Sequence, residues 1–366
     1  MVDSLRSVVI AGMIAAAVFW LAGCDEDCPV CPPAEPVSDY DVYIGGGQGD
    51  APILVYNTRL QAIADTIIFA NMQWLEDLAV SADGNYLLVA TDTVIGPSHY
   101  RLTVYDLATL DTVISYPGGN QIEVSNTGKY IAVLGYRVDN ISFIDGVTFE
   151  PYFSEKRAFM SGRFSADDSK FYCVSHTNEI FIYDMAAKAL DTVLYYYDNS
   201  GYWMALSAVQ PSLDGKRLYL LASYSYYSHR IMSYLPESDS SVLQYWIGPP
   251  MGDIRLTPDG NYVIVTDPGA MAIEENGSDN IIYIDTRTDA VVTLVPAPLA
   301  LAGGEFSGIY PGEIAILPDG RFTMVATESF EAFGMVDNRL HQFADIEYRP
   351  VEGAACRRVA CQKLLK

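Results

Sequence analysis

The sequence predicts an all-β fold, a ring of seven similar sheets with four short strands each. Three observations carry this prediction. A turn of the form Ser-x-Asp-Gly recurs along the chain, the strand after each turn is aromatic and β-branched, and a further strand closes on Asp or Asn. Copies of the turn begin at Ser81, Ser125, Ser165, Ser212, Thr257 and Leu317. Roughly forty-five residues separate most copies, which is the period of a β-propeller blade.

The number of blades follows from counting these elements. Third strands that end on a polar residue close at Asn57, Asp106, Asp145, Asp184, Asp285 and Asp337, with a degenerate seventh copy at residues 231–234. Only six turns accompany them, so the first copy lacks its innermost strand. We expect the C-terminal segment, residues 351–366, to supply it and hide an open sheet edge. The alternative is six complete blades with a loose N-terminal hairpin.

The amino-acid sequence of the repeat resembles the YVTN β-propeller repeats, which are relatives of the WD-type and lactonase-like propellers. The match is best in Tyr86-Leu87-Leu88-Val89-Ala90-Thr91 and in Tyr283-Ile284-Asp285-Thr286-Arg287-Thr288. The resemblance covers residues 40–349 and implies a propeller. It implies little about function, because members of this family mostly serve as binding or surface proteins with diverse ligands.

The first 39 residues read as a leader and a tether. Residues 8–21 form an apolar run that is short for a spanning helix and typical of a secretion signal. It ends in Leu21-Ala22-Gly23-Cys24, which resembles the bacterial lipobox, so Cys24 is the predicted lipidated residue of a membrane-anchored envelope protein. The alternative is a plain signal peptide. Residues 24–39 are rich in proline and acids, a solvated tether. The propeller then occupies residues 40–355, followed by a tail of residues 356–366.

The charge of the chain restricts its partners. The formal net charge is −24, with 22 basic against 46 acidic residues. Such a field repels nucleic acid, which is bound through Lys and Arg. We therefore expect a monomeric propeller that reaches the membrane only through its lipid and binds a protein, peptide or carbohydrate.

The cysteines predict local disulfides and no metal site. Cys28 and Cys31 form a Cys-x-x-Cys motif in the tether, and Cys356 and Cys361 lie close together in the C-terminal segment. In an oxidising compartment each pair could form a bridge, although unpaired thiols remain an alternative. Zinc would need two more ligands near the first pair, and the sequence offers none there.

Two long loops are candidate binding sites. Tyr202, Trp203, Tyr226 and Tyr227 come from loops that the repeat order brings together, and exposed Tyr and Trp dominate interface hot spots. Burial of these rings between blades is the alternative. The second loop, residues 267–279, runs from Asp267 to Asp279 and carries oxygen donors of the kind Ca²⁺ accepts, without the spacing of an EF-hand. A solvated loop is its alternative, and no other cofactor is expected.

The sequence shows no convincing catalytic constellation. None of the four histidines lies in a nucleophile-elbow motif such as Gly-x-Ser-x-Gly. Glu305 and Glu313 flank a glycine-rich link that could line the central channel. The leading interpretation is thus a binding or scaffold module without catalytic residues. The alternative is a lactonase-like hydrolase in the top channel, which would require an acid, a His and an Arg to converge there.

Overall fold

The computed structural model describes residues 39–48, 52–69, 74–92, 100–135, 140–196, 205–225, 228–247, 252–267, 280–296, 300–302, 305–307, 311–327, 332–348 and 358–361. The predicted leader and nearly all of the predicted tether lie outside these ranges. No helix in them is long and apolar enough to cross a membrane.

The described residues form a seven-bladed β-propeller, which confirms the predicted fold class. Each blade is an antiparallel sheet of four strands. The first strands of neighbouring blades contact one another, so they line the centre of the ring. From the innermost strand outwards, the first three blades consist of Arg358–Cys361, Asp41–Gly45, Ile53–Asn57 and Ala62–Ile67; of Trp74–Val80, Tyr86–Asp92, Tyr100–Asp106 and Thr112–Pro117; and of Gln121–Val124, Tyr130–Leu134, Ile141–Asp145 and Pro151–Glu155.

The other four blades follow in chain order. They consist of Ser161–Phe164, Lys170–Val174, Glu179–Asp184 and Ala189–Tyr195; of Ala205–Pro211, Leu218–Ser225, Ser228–Leu235 and Ser240–Ile247; of Ile254–Leu256, Tyr262–Asp267, Asn280–Asp285 and Ala290–Pro296; and of Pro311–Ile316, Phe322–Thr327, Ala332–Asp337 and Gln342–Tyr348. Two short elements were not predicted. Gly47–Gln48 pairs with the start of Trp74–Val80, and Ala300–Ala302 pairs with Glu305–Ser307.

The ring is closed by the C-terminal segment. Arg358–Cys361 pairs antiparallel with Asp41–Gly45, with Val42 opposite Cys361. Val359 and Ala360 are buried there, so the closing strand joins the core as well as the sheet. The first blade therefore contains strands from both ends of the propeller.

The recurring turn owes its sequence to a small hydrogen-bond network. Ser81 Oγ donates to Asp83 Oδ1 at 2.6 Å and accepts the Tyr86 N–H at 2.9 Å. Gly84 follows with a φ of 75°, a conformation that a Cβ disfavours. Both bonds recur at Ser165, at Ser212 and, with Thr in place of Ser, at Thr257. The turn motif is therefore a requirement of local folding and says nothing about ligands.

The polar residue at the end of each third strand also shapes a turn. Asp106 Oδ1 accepts the N–H groups of Ala108 and Thr109 at 2.9 and 3.0 Å. Leu110, four residues after the Asp, then adopts a φ of 61°, and its N–H bonds the Asp106 carbonyl. The side chain thus fixes the tight hairpin to the outermost strand.

The core lies between the blades. Alternate side chains of each sheet pack against the next sheet, as Phe143 of the third blade does against Phe171 and Tyr183 of the fourth. Cys173 is fully buried in the same cluster. These contacts fix the positions of the innermost strands, whose other faces form the channel.

Candidate functional site in the central channel

Charged side chains from the innermost strands meet in the channel. Successive side chains of a strand point to opposite faces of the sheet. In each innermost strand, the residue two positions before the turn (the nearer position) and the residue four positions before it (the farther position) therefore share the inward face. The nearer position holds Glu123, Arg163 and Arg255, and the farther holds Asp77, Asp253 and Glu313. The closing strand adds Arg358. Six of the seven blades thus contribute a charge, and the fifth contributes Gln210.

Two arginines and two acids form the centre of this cluster. Asp253 bridges both arginines, with Oδ1 at 2.8 Å from Arg163 Nη2 and Oδ2 at 3.0 Å from Arg255 Nε. Glu123 Oε2 lies 3.0 Å from Arg255 Nη1 and 3.4 Å from Arg163 Nη1. Two of these pairs cross the ring, because Arg163 of the fourth blade bonds Asp253 of the sixth, and Glu123 of the third blade bonds Arg255 of the sixth. The cluster therefore ties together blades that are not neighbours in the ring.

The acids at the farther position also bond the next blade. Asp77 Oδ2 accepts the Ile122 N–H at 2.7 Å, and Asp253 Oδ2 accepts the Ile314 N–H at 3.3 Å. Glu313 Oε2 accepts the Val359 N–H of the closing strand, also at 3.3 Å. Each carboxyl thus joins its own innermost strand to the one that follows in the ring.

Burial and neighbouring charges divide these acids into two kinds. Burial raises the pKa of Asp77 to about 6, against the opposing effect of Arg358. Burial and the nearby Asp77 raise the pKa of Glu313 well above its usual range. Burial also acts on Asp253, but the charges of Arg255 and Arg163 outweigh it and leave the pKa of that carboxyl lowered. Asp253 is therefore ionised at neutral pH, whereas Asp77 and Glu313 compete for a proton.

A cavity of about 210 Å³ adjoins the cluster. Glu123, Arg163, Arg255 and Glu313 line it beside Gln210. It extends to the turns between the first and second strands, where Leu213, Pro258 and Pro318 form an apolar rim. The binding sites predicted from the sequence are two long loops, whereas the described cavity reaches the tight turns.

The predicted rim and lipid residues are outside the described part of the chain. This holds for Tyr202, Trp203, Tyr226, Tyr227, Cys24, Cys28, Cys31 and Cys356. Of the proposed calcium loop only Asp267 is described, and it is buried at the end of a strand. Cys361 belongs to the closing strand and lies with Sγ 3.4 Å from the Ile316 carbonyl oxygen. These sites remain predictions.

The prediction that the glycine-rich link lines the channel can be compared with the structure at Glu313 and Glu305. Glu313 does line the channel, and Glu305 lies in the short strand Glu305–Ser307. The histidines His176 and His341 are not among the residues that line the cavity, and His341 packs on Tyr283 with ring centroids 4.5 Å apart. Within the ranges described, no group of three His, Cys, Asp or Glu side chains is arranged to hold a metal ion.

Sequence reasoning missed the arginines and three of the acids. The signal was present, because a charged residue stands two or four positions before the turn in otherwise apolar strands such as Ile254–Leu256. One such residue in one strand is unremarkable. Only alignment of all the innermost strands shows that the charges share an inward-facing position.

Fold and site together define the protein as a seven-bladed β-propeller with a charged central channel. Among solved structures, a chain of Kuenenia stuttgartiensis hydrazine synthase is similar, with a TM-score of 0.56, 20% identity, and coverage of 72% of this chain and 76% of that one. Dihydro-heme d1 dehydrogenase NirN in complex with DHE has a TM-score of 0.55 and 15% identity, covering 90% of this chain and 68% of that one. At these identities the likeness shows the fold alone. No family model matches the chain, and no curated protein matches it.

Proposed function

We propose that this chain is a lipid-anchored β-propeller of the bacterial cell envelope that binds its ligand in the central cavity. One observation carries the proposal: charged side chains from four blades line a cavity that is large enough to hold a small molecule. Concave sites with apolar walls and a few convergent polar groups are the usual form of ligand pockets. The lipobox at Cys24 and the resemblance to YVTN repeats support the envelope setting.

A cavity-filling variant tests this proposal. Ala315 lines the cavity, so Ala315→Trp should occupy it with an indole ring. We expect compounds from a small-molecule library to raise the thermal midpoint of the wild type and to lose that effect in Ala315→Trp. Far-UV circular dichroism controls for folding. If no compound distinguishes the two proteins, the cavity is not the binding site.

A hydrolase with its site in the channel is the second candidate. The observation that favours it is the pair of carboxyls with raised pKa, Asp77 and Glu313, beside Arg255 and Arg358. A carboxyl that keeps its proton near neutral pH can act as a general acid. NirN is an enzyme by its title, and it shares only the fold with this chain. Turnover of lactone or ester substrates that disappears in Glu313→Gln would support this reading; equal turnover in both proteins would exclude Glu313 as its acid.

A further inference from the structure

The charges of the channel do not balance. The cluster contains the carboxyls of Asp77, Glu123, Asp253 and Glu313. The guanidinium groups are those of Arg163, Arg255 and Arg358. Four carboxylates against three guanidinium groups leave one negative charge. In a buried setting such an excess must be met by a proton or by a bound cation.

The excess is located at Glu313. Glu123 has two arginine nitrogens within 3.4 Å of one oxygen. Glu313 has Arg255 Nη2 only at 3.9 Å and the Val359 N–H at 3.3 Å, although its side chain is just 13% exposed. A buried carboxylate needs close, well-directed partners to remain charged. Asp77 has no ion pair with a described arginine, but it accepts two backbone N–H groups, both at 2.7 Å, and does not line the cavity. Glu313 is therefore the weakly paired acid that a ligand in the cavity can reach.

Space for that group lies beside Glu313. Ala315 follows two residues later on the same face of the strand, and Ala79 holds the matching position in the second blade. Both line the cavity. In the third to sixth blades this position carries the longer side chains of Glu123, Arg163, Gln210 and Arg255, which also line the cavity. The short side chains open the cavity on the side where Glu313 lies.

Arg163 supplies an independent indication of a ligand. Its side chain lines the cavity, and the residue is only 9% exposed. Its Nη atoms bond acids and the Gly162 carbonyl, but the Nε–H has no hydrogen-bond acceptor among the described residues. A buried donor without an acceptor is costly. The ligand should therefore bring an acceptor oxygen as well as a positive charge.

We propose that the cavity binds a small organic monocation, a primary amine that also carries a hydroxyl or carbonyl oxygen. The ammonium group lies against Glu313, the oxygen accepts from Arg163 Nε, and the apolar body packs against Ala79, Ala315 and the rim at Pro258. The proposal rests on the proposed function, since it names the ligand class of the same cavity. The net charge of −24 draws cations towards the molecule.

A proton takes the place of the ligand when the cavity is empty. The charged groups that face Glu313 are Asp77 from the second blade, Arg358 from the first, and Asp253 and Arg255 from the sixth. Burial and Asp77 favour the protonated carboxyl, which raises its pKa. A bound ammonium favours the carboxylate. Binding should therefore release a proton, and the affinity should rise with pH while Glu313 titrates.

Four related compounds separate the contributions of charge and acceptor. Tyramine carries both the ammonium and a hydroxyl, phenethylamine lacks the hydroxyl, tyrosol is a neutral alcohol, and phloretate is an anion. We expect isothermal titration of the full chain at neutral pH to show tyramine binding about tenfold or more tighter than tyrosol, as a charge-assisted hydrogen bond implies. Phenethylamine should bind roughly fivefold more weakly than tyramine, and phloretate should not bind.

Proton release is measured in the same titrations. The tyramine enthalpy should differ between phosphate and Tris buffers, because the two buffers take up the released proton with different heats. Glu313→Gln should lower tyramine affinity about tenfold and abolish the buffer dependence. Glu150→Gln, which removes an exposed acid from a turn of the third blade, should change neither. If Glu313→Gln fails to fold, the affinities of the wild type for the four compounds still test whether the cavity prefers a monocation.

The outcomes separate this inference from the proposed function. Three results would each overturn the proposal that the ligand is a monocation. These are tyrosol binding as tightly as tyramine, phloretate binding more tightly than tyramine, and tyramine affinity that is unchanged in Glu313→Gln. The absence of binding by all four compounds would also overturn that proposal. The proposed function would still stand if neutral or anionic compounds from the library bind the wild type and not Ala315→Trp.

Discussion

Single residues in the channel determine how the protein responds to pH. The pKa of Asp77 is about 6 in the folded chain, against a usual value of 3.8, and that of Glu313 is also raised. A carboxyl with a raised folded pKa binds its proton more tightly in the folded state. Between the two pKa values the folded state therefore holds more protons, and stability falls as pH rises. For Asp77 alone the full effect is on the order of 3 kcal/mol.

We accordingly expect the free energy of unfolding to be lower at pH 8 than at pH 5. Glu313→Gln should raise it at pH 8 by about 1 kcal/mol, because it removes one of two like charges in a buried site. The comparison is Asp65→Asn, which removes an exposed charge from an outermost strand and corrects for the general repulsion of an acidic chain. Denaturant titrations at both pH values measure this. The reverse order, with Glu313→Gln less stable at pH 8, would contradict the assignment.

Asp168 is a turn residue whose side chain joins two blades. It occupies the position that Gly takes in the other turns, with a φ of 57°. Its carboxylate accepts the N–H groups of Asn126 and Thr127, both at 2.8 Å, and the Thr127 hydroxyl at 2.6 Å. We expect Asp168→Gly to lower stability by about 2 kcal/mol, because lost hydrogen bonds to a charged group outweigh the relief of a positive φ. Gln61→Gly, at a φ of 49° in an exposed turn, should be neutral or stabilising. Thermal unfolding of both variants tests this.

At the scale of elements, the closing strand is the most consequential. Arg358–Cys361 is the innermost strand of the first blade, and it buries Val359 and Ala360. We expect removal of residues 358–366 to lower the free energy of unfolding by about 3 kcal/mol or more, from lost apolar burial and an exposed sheet edge. A synthetic peptide of residues 351–366 should restore the thermal midpoint in a saturable way. A truncated chain as stable as the full one would mean that the ring does not need this strand.

The loops of the predicted aromatic rim are a second element to test. Tyr202, Trp203, Tyr226 and Tyr227 remain a predicted partner surface. We expect Trp203→Ala to weaken binding of an envelope protein partner by about 2 kcal/mol, as truncation of a hot-spot aromatic does. The measurement is how much of an envelope protein each variant captures from detergent-solubilised membranes. A loss in Trp203→Ala but not in Ala315→Trp would show that the rim and the cavity act separately. If Trp203→Ala captures as much protein as the wild type, the rim is not the partner surface.

For the whole molecule, we expect a lipid anchor at Cys24 to determine where the propeller works. Metabolic labelling with palmitate should mark the wild type in a bacterial host and should be lost in Cys24→Ala. The variant should move from the membrane fraction to the soluble fraction, because one residue carries the anchoring lipids. Cys173→Ala, at a buried position in the fourth blade, serves as a cysteine control that keeps the label. Membrane association that survives Cys24→Ala would contradict lipid anchoring.

The sequence determined the fold because the residues that define each blade lie close together in the chain. The Ser-x-Asp-Gly turns, the alternating strands and the polar residue at the end of each third strand act within a few residues of one another. Their copies could therefore be counted without a structure, and the count also assigned the missing strand to the C-terminal segment. Glu313 was found because it adjoins a conspicuous glycine-rich link.

Only the tertiary structure decided the site. Arg163 bonds Asp253 across ninety positions of sequence, and Arg255 bonds Glu123 across more than a hundred and thirty. No local pattern marks such pairs, because each partner is a single charge in an apolar strand. The closed ring brings the inward faces of all innermost strands within bonding distance, and burial there changes the proton affinity of Asp77 and Glu313. Local hydrogen bonds thus determine the strands and turns of each blade. Closure of the ring determines which charged side chains meet in the channel and how tightly they hold protons.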